Sequence, residues 1–267
     1  MDTLLADKKI YKHQVKAVKE AAERISKVVV KTPLMQSFTY TNKFSANVML
    51  KREDLQQVRS YKIRGAYNKI SSLPKEQLNK GVICASAGNH AQGVAFACNK
   101  LQVKGVIYMP ITTPRQKVEQ TKMFGGEWVE VVLKGDTFDD SFKSSMKHAD
   151  KFGLVFIHPF DDEKVIEGQA TIGLEILEQA NEPIDYVFAP LGGGGLLAGI
   201  SSMFKELSPN TKIIGVEPEG AASMTSSLKE GKLVELKSIE RFVDGAAVQK
   251  VGSRNFEICK ENLDKMI

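Results

Sequence analysis

Val187-Phe188-Ala189-Pro190-Leu191-Gly192-Gly193-Gly194-Gly195-Leu196 is a short apolar strand that runs into four glycines, and residues 196–207 behind it have helical apolar spacing. Four consecutive glycines carry a large backbone-entropy cost, so something must require bare backbone there. One such requirement is a phosphate: amides without side chains let an anion approach closely, and the helix behind directs its positive end at the same spot. The plainer reading is a flexible strand-to-helix turn. The loop lacks the Lys-Ser/Thr ending of a nucleoside-triphosphate loop. An isolated phosphate therefore suits it better than a nucleotide.

Outward from this unit the same alternation recurs. Short β-branched runs predict strands at 48–50, 82–85, 106–109, 129–132, 155–157, 187–189 and 213–216. Helical spacing marks residues 15–25, then 63–72, 91–100, 116–124, 138–151, 165–179 and 196–207. Parallel neighbours need long connections that helices supply, so the pattern predicts a doubly wound α/β protein with parallel sheets. Ligands of such sheets bind beyond the carboxyl ends of strands, which directs attention to the loops after Ala85, Ala189 and Val216.

The 267 residues, 42% hydrophobic and 26% charged, suffice for two modest cores. The net charge of +5, from 37 basic and 32 acidic side chains, is spread along the chain without an arginine-rich arm, which argues against a nucleic-acid partner. Residues 1–9 are charged and no apolar run reaches membrane-spanning length, so neither signal peptide nor anchor is expected and the location is expected to be cytoplasmic. Cys84, Cys98 and Cys259 have neither metal-site nor redox spacing and read as small buried hydrophobes in a reducing compartment.

Two further segments could carry chemistry. Ser60-Tyr61-Lys62-Ile63-Arg64-Gly65-Ala66 opens a helix. Most lysines are solvated surface groups, but at a helix entrance the positive helix end and desolvation could lower the ammonium pKa and yield the neutral amine that Schiff-base chemistry needs. Cys84-Ala85-Ser86-Ala87-Gly88-Asn89-His90-Ala91-Gln92-Gly93 is a strand end followed by small and polar residues and a helix. Its free amides and the Ser86 hydroxyl suit a carboxylate; read alone, it is equally a well-capped helix start.

With Thr32-Pro33-Leu34, Glu53-Asp54-Leu55, Gly215-Val216-Glu217-Pro218 and Asp244-Gly245-Ala246, these three segments resemble the fold-type II pyridoxal-phosphate enzymes, in particular the serine/threonine dehydratase branch. The resemblance covers nearly the whole chain, and its motifs agree in order and spacing. It implies that Lys62 carries pyridoxal 5′-phosphate as a Schiff base, with Tyr61 beside it where relatives usually have Phe. It further implies that Asn89 bonds the phenolic oxygen of the cofactor, that Gly192, Gly193, Gly194, Gly195 and the Leu196 amide hold its phosphate, and that the Gly245 backbone touches it. Ser86, Ala87, Gly88, Asn89 and His90 would clasp the substrate carboxylate. The implied reaction is α,β-elimination from L-threonine, and from L-serine, to 2-oxobutanoate or pyruvate and ammonia, as in isoleucine biosynthesis.

The resemblance also implies two α/β domains with the cofactor in the cleft between them: a small mobile one over residues 53–156, and a large one built from 1–52 and 157–267. A homodimer or homotetramer is implied as well. His90 and unbroken glycines point away from cysteine synthases, and Ala87, where serine racemases typically carry a second Ser, favours elimination over racemisation. Ser223 stands where some relatives place an aspartate that, with a glutamate like Glu217, holds a divalent cation, so no such metal site is expected, while a monovalent ion stays open. The sequence looks like a dehydratase catalytic domain cut short, lacking the Ser or Cys that relatives place at the pyridine nitrogen. A fragment that keeps the fold without turnover, a serine racemase-like relative and a dinucleotide dehydrogenase are the competing readings.

Overall fold

The computed structural model describes residues 15–267, so the reading of residues 1–9 falls outside the described residues. Helix α1 (Val15–Ile25) turns Val18, Ala21 and Ile25 inward. An antiparallel ladder of β1 (Leu34–Gln36) and β2 (Met49–Lys51) encloses α2 (Phe38–Phe44). Then follow α3 (Lys62–Ser71), α4 (Lys75–Lys80), β3 (Val82–Ala85), α5 (Asn89–Leu101), β4 (Gly105–Met109), α6 (Arg115–Gly125), β5 (Val129–Leu133), α7 (Phe138–Phe152) and β6 (Val155–Phe156). The chain continues through α8 (Glu163–Gln179), β7 (Tyr186–Pro190), α9 (Gly195–Leu207), β8 (Lys212–Val216), α10 (Ser223–Glu230), α11 (Ser253–Asn262) and β9 (Lys265–Met266).

All the expected strands are present within a residue or so, and the pairing around them is parallel. The exception is the expected strand at 48–50, which lies at Met49–Lys51 and pairs antiparallel with an unexpected partner, β1. Strands of two or three residues such as β1 and β9 show no period, which hides them from a sequence reading.

β5-β4-β3-β6 form one parallel sheet and β7-β8-β9 another. Every residue of β3 is buried, as expected for a central strand covered on both faces. β7 alternates instead: Val187 and Ala189 point inward, and Tyr186 and Phe188 are exposed. Val82, Cys84, Val94, Cys98, Ile107, Met109 and Ile157 share one core cluster, and Ile166, Ile172, Val187, Leu197, Phe204 and Ile213 share another. All three cysteines are buried and free.

The first sheet steps outward from β3 through β4 to β5, then returns to the other side of β3 with β6. That reversal makes the crevice beyond the carboxyl ends of β3 and β6 the topological switch point, where ligands of open α/β sheets bind. The residues following β3 and β6 therefore face one crevice.

Candidate active site

Lys62 is the first residue of α3, and no side chain caps that helix start. Its Nζ donates to the Pro159 carbonyl at 2.8 Å and lies 5.5 Å from the centre of the Tyr61 ring. The residue is half-buried, and protein surrounds its amine. Desolvation lowers its pKa from 10.5 to about 8. The backbone of Lys62 is seated by glycines. A Cβ on Gly93 of α5 would come within 3.0 Å of the Lys62 carbonyl, and one on Gly168 of α8 within 2.6 Å of the Arg64 carbonyl.

Arg64, two residues on, is wholly buried. Its guanidinium forks onto Glu53 (2.8 and 2.8 Å) and onto Glu175 (2.6 and 2.9 Å), and also donates to the Thr171 hydroxyl. Lys51 completes the cluster at 2.5 Å from Glu175. Two cations thus face two carboxylates, which fastens α3 to α8 and to the segment after β2.

The Ser86–His90 loop leaves β3, and α5 begins at Asn89 with Gly88 as a cap that offers no side chain. The Ser86 hydroxyl accepts the Gly88 amide at 3.2 Å, so its own proton remains to donate. Asn89 is exposed, whereas His90 is buried with Nε2–H donating to the Ile157 carbonyl at 2.9 Å. Burial first, and the nearby Lys62 charge second, depress His90 to about 3. Its imidazole is therefore neutral and committed to the loop after β6, which leaves its amide rather than its ring for an anion.

The four glycines leave β7, and α9 begins at Gly195 behind Gly194, whose φ is +93°. No side chain caps α9 either, so its first amides have no partner within the helix. The glycines are required by close approach. A Cβ on Gly193 would enter the Phe160 ring, one on Gly195 would sit 2.7 Å from the Phe160 carbonyl, and one on Gly192 would sit 3.0 Å from the Ala246 Cα. The Asn255 amide donates to the Gly193 carbonyl at 2.8 Å and to the Phe160 carbonyl at 3.1 Å, which fixes the loop from behind. Gly245 is exposed beside Ala246, and its neighbour Asp244 pairs with Lys117 of α6.

Residues 157–161 join these pieces. Ile157 receives His90, Pro159 receives Lys62, Phe160 packs into the glycine loop, and Asp161 caps α11 by accepting the Ser253 and Arg254 amides at 2.9 and 3.0 Å. No motif marks this segment in the sequence, because its contacts to Lys62, His90 and the glycine loop are made by carbonyls and by volume. Its position after β6 is the signal that could have found it. Glu217 accepts the Met224 and Thr225 amides at 2.8 and 2.9 Å and the Thr225 hydroxyl, so its oxygens serve the start of α10. No group of three or more His, Cys, Asp or Glu side chains among the described residues could hold a metal ion.

An isolated phosphate fits the arrangement: bare glycine amides, an uncapped helix start and a nearby lysine amine of lowered pKa. Residues 25–267 match the family described as pyridoxal-phosphate dependent enzyme. The chain is 54% identical over 256 residues to the biosynthetic L-threonine dehydratase of Halalkalibacterium halodurans, covering 96% of this chain and 62% of the relative. It is 48% identical to that of Bacillus subtilis, covering 95% and 60%. The chain thus spans about three fifths of the length of these curated relatives. Among solved structures, the processed form of threonine deaminase isoform 2 from Solanum lycopersicum superposes with a TM-score of 0.88 at 46% identity, over 96% of this chain and 75% of that one. Serine racemase from maize superposes at 0.91 with 33% identity, over 96% and 77%.

Proposed function

Because the chain belongs to the family of pyridoxal-phosphate dependent enzymes, we propose that it deaminates L-threonine, and L-serine, by α,β-elimination, with Lys62 as the cofactor lysine. The carrying observation is the Lys62 amine, lowered to about 8 and bonded to Pro159, near two helices whose starts no side chain caps. The relatives named L-threonine dehydratase support the choice of substrate.

Pyridoxal phosphate, when bound, supplies a conjugated ring that takes up the electron pair left at the substrate Cα. Gly192 to Gly195 and the Leu196 amide would hold its phosphate, Asn89 its phenolic oxygen, and Gly245 would touch it through the backbone, beside Tyr61. Amides of Ser86, Ala87, Gly88, Asn89 and His90, with the Ser86 hydroxyl, would hold the substrate carboxylate at the positive end of α5. Lys62 takes the Cα proton, the Cβ–O bond breaks, and the hydroxyl leaves as water with a proton that the cofactor phosphate would supply and regain from Lys62. The freed enamine tautomerises to an imine, and a second water hydrolyses it to 2-oxobutanoate and ammonia, or to pyruvate from serine. Ala87 has no hydroxyl to return a proton to the opposite face of Cα, which favours elimination over racemisation. Division into a mobile domain over 53–156 and a larger one from 1–52 and 157–267 would let the cleft close and exclude water from the carbanion. A cytoplasmic homo-oligomer completes the reading; no described helix is long and apolar enough to cross a membrane.

The test is the absorbance of the purified chain with pyridoxal phosphate, followed by addition of threonine. A Schiff-base band at the edge of the visible, its absence in Lys62→Ala, and growth of 2-oxobutanoate are expected. No uptake overturns the cofactor assignment, and uptake without a 2-oxo acid overturns the activity.

A further inference from the structure

We infer that His158 is a positioning residue for the Lys62 amine: its bare Nδ1 gathers the two amides that follow Pro159 and so aims the Pro159 carbonyl at Nζ. The Phe160 and Asp161 amides both donate to His158 Nδ1, at 3.3 and 2.8 Å. A ring nitrogen that accepts two N–H groups carries no proton, so the imidazole is neutral and protonated on Nε2. The accepted amides bend residues 158–161 into a tight turn. The Pro159 carbonyl shares a trans peptide plane with the Phe160 amide and so points away from the ring, and it is the acceptor 2.8 Å from Lys62 Nζ. Proline at 159 has no N–H of its own and a fixed φ, which stiffens the same turn.

The ring packs edge-on against Phe160 at 4.8 Å between centroids and against Phe156 at 6.3 Å. The charges that face it are Asp161 and Asp162 from its own loop and Lys62 from α3. Asp161 is turned away to cap α11, and Asp162 pairs with Lys69 and caps α8. Burial keeps the imidazole pKa below its ordinary value, in keeping with an acceptor nitrogen.

This inference rests on the reading of Lys62 as the cofactor lysine, but its test does not need the cofactor. Asparagine places Oδ1 where histidine has Nδ1, whereas glutamine places its amide near the Nε2 position. His158→Asn therefore keeps the acceptor and His158→Gln removes it. Competitive acetylation of the cofactor-free chain across pH, read at the Lys62 peptide by mass spectrometry, reports the amine directly. Wild type and His158→Asn are expected to titrate near 8. In His158→Gln the opened turn admits water, the pKa rises toward 10.5, and the neutral fraction at pH 7 falls about tenfold or more. Identical Lys62 profiles in all three proteins overturn the inference, as does an equal shift in both variants. Should His158→Gln not fold, nitrogen-15 chemical shifts of histidine in the wild-type chain decide instead: a protonated Nδ1 on His158 at neutral pH overturns it, and a bare one upholds it. Cofactor uptake by the wild type, measured in parallel, tests the Lys62 reading separately.

Discussion

Gly168→Ala should damage activity far more than stability. The new Cβ would stand 2.6 Å from the Arg64 carbonyl and 2.7 Å from the Gly65 Cα, backbone atoms that no rotamer change can move. An ordinary contact needs about 3.4 Å or more, so α3 must retreat from α8 by roughly 0.8 Å. Overpacking of this kind costs about 1–3 kcal/mol. Alanine in place of glycine within a helix returns about 1 kcal/mol. The net loss is then at most about 2 kcal/mol, a fall in Tm of under ~8 °C for a chain of this size. Lys62 begins the displaced helix, however, and a misplacement near 1 Å at a reacting group can cost on the order of 100-fold in rate. The assay is 2-oxobutanoate formation from threonine by the cofactor-loaded chain, beside a thermal melt. Ile172→Val is the control: Ile172 lies on α8 but packs in the cluster of the second sheet, so it should lose about 1 kcal/mol with kcat intact. Wild-type kcat in Gly168→Ala would refute the reasoning, and so would an equal loss of kcat in Ile172→Val.

Arg64→Met should cost about 3–5 kcal/mol in chemical denaturation, because it leaves Lys51 as the one cation of the cluster for the Glu53 and Glu175 carboxylates; Arg64→Lys, which cannot fork onto both, should fall between. A loss below about 1 kcal/mol in Arg64→Met would count against the buried cluster. In the cofactor-free chain Lys62→Met should be more stable than wild type by up to about 3 kcal/mol, the equivalent of a pKa lowered from 10.5 to about 8. That sign follows because the native state binds fewer protons than the unfolded one. The penalty of Lys62 is fully present below pH 8 and fades as pH rises to 10.5, so the two stabilities should converge over that window; a gap independent of pH contradicts it. Gly193→Ala drives a methyl into the Phe160 ring and should weaken cofactor uptake about 5- to 150-fold by absorbance titration, the equivalent of about 1–3 kcal/mol of overpacking. Unchanged uptake would remove the glycine loop from the cofactor site.

The parts of the site that announce themselves in the sequence do so through composition. A run of Gly192 to Gly195 and a Ser86–His90 turn between apolar strand and helix are local anomalies, and their strands and helices have the periods that place them at sheet ends. Lys62 is legible only in company, since neither its neighbours nor its spacing reveals that its amine is desolvated. The 157–161 segment is legible only by its position after β6, because Ile157 and Pro159 act through carbonyls that every residue possesses, and Phe160 acts through the volume it fills. Long-range pairing such as Arg64 with Glu175 is hidden for a related reason: opposite charges abound on surfaces, and only the packing of α3 on α8 makes this pair buried.

Yet one signal of that packing is local. Gly65, Gly168 and Gly199 lie inside helices, where each costs about 1 kcal/mol relative to alanine. A Cβ at any of them would strike a neighbouring helix: Gly65 meets Val165 and Gln169, Gly168 meets Arg64, and Gly199 meets Ile166 and Ala170. The three glycines therefore join α3, α8 and α9 into one close-packed stack, with Lys62 opening the first helix and the glycine loop opening the last. Helix propensity and amine solvation are both sacrificed along this stack. Local preferences yield in a folded chain where function requires it, so helix-interior glycines flanking an uncapped lysine helix point to the site as surely as the glycine loop itself.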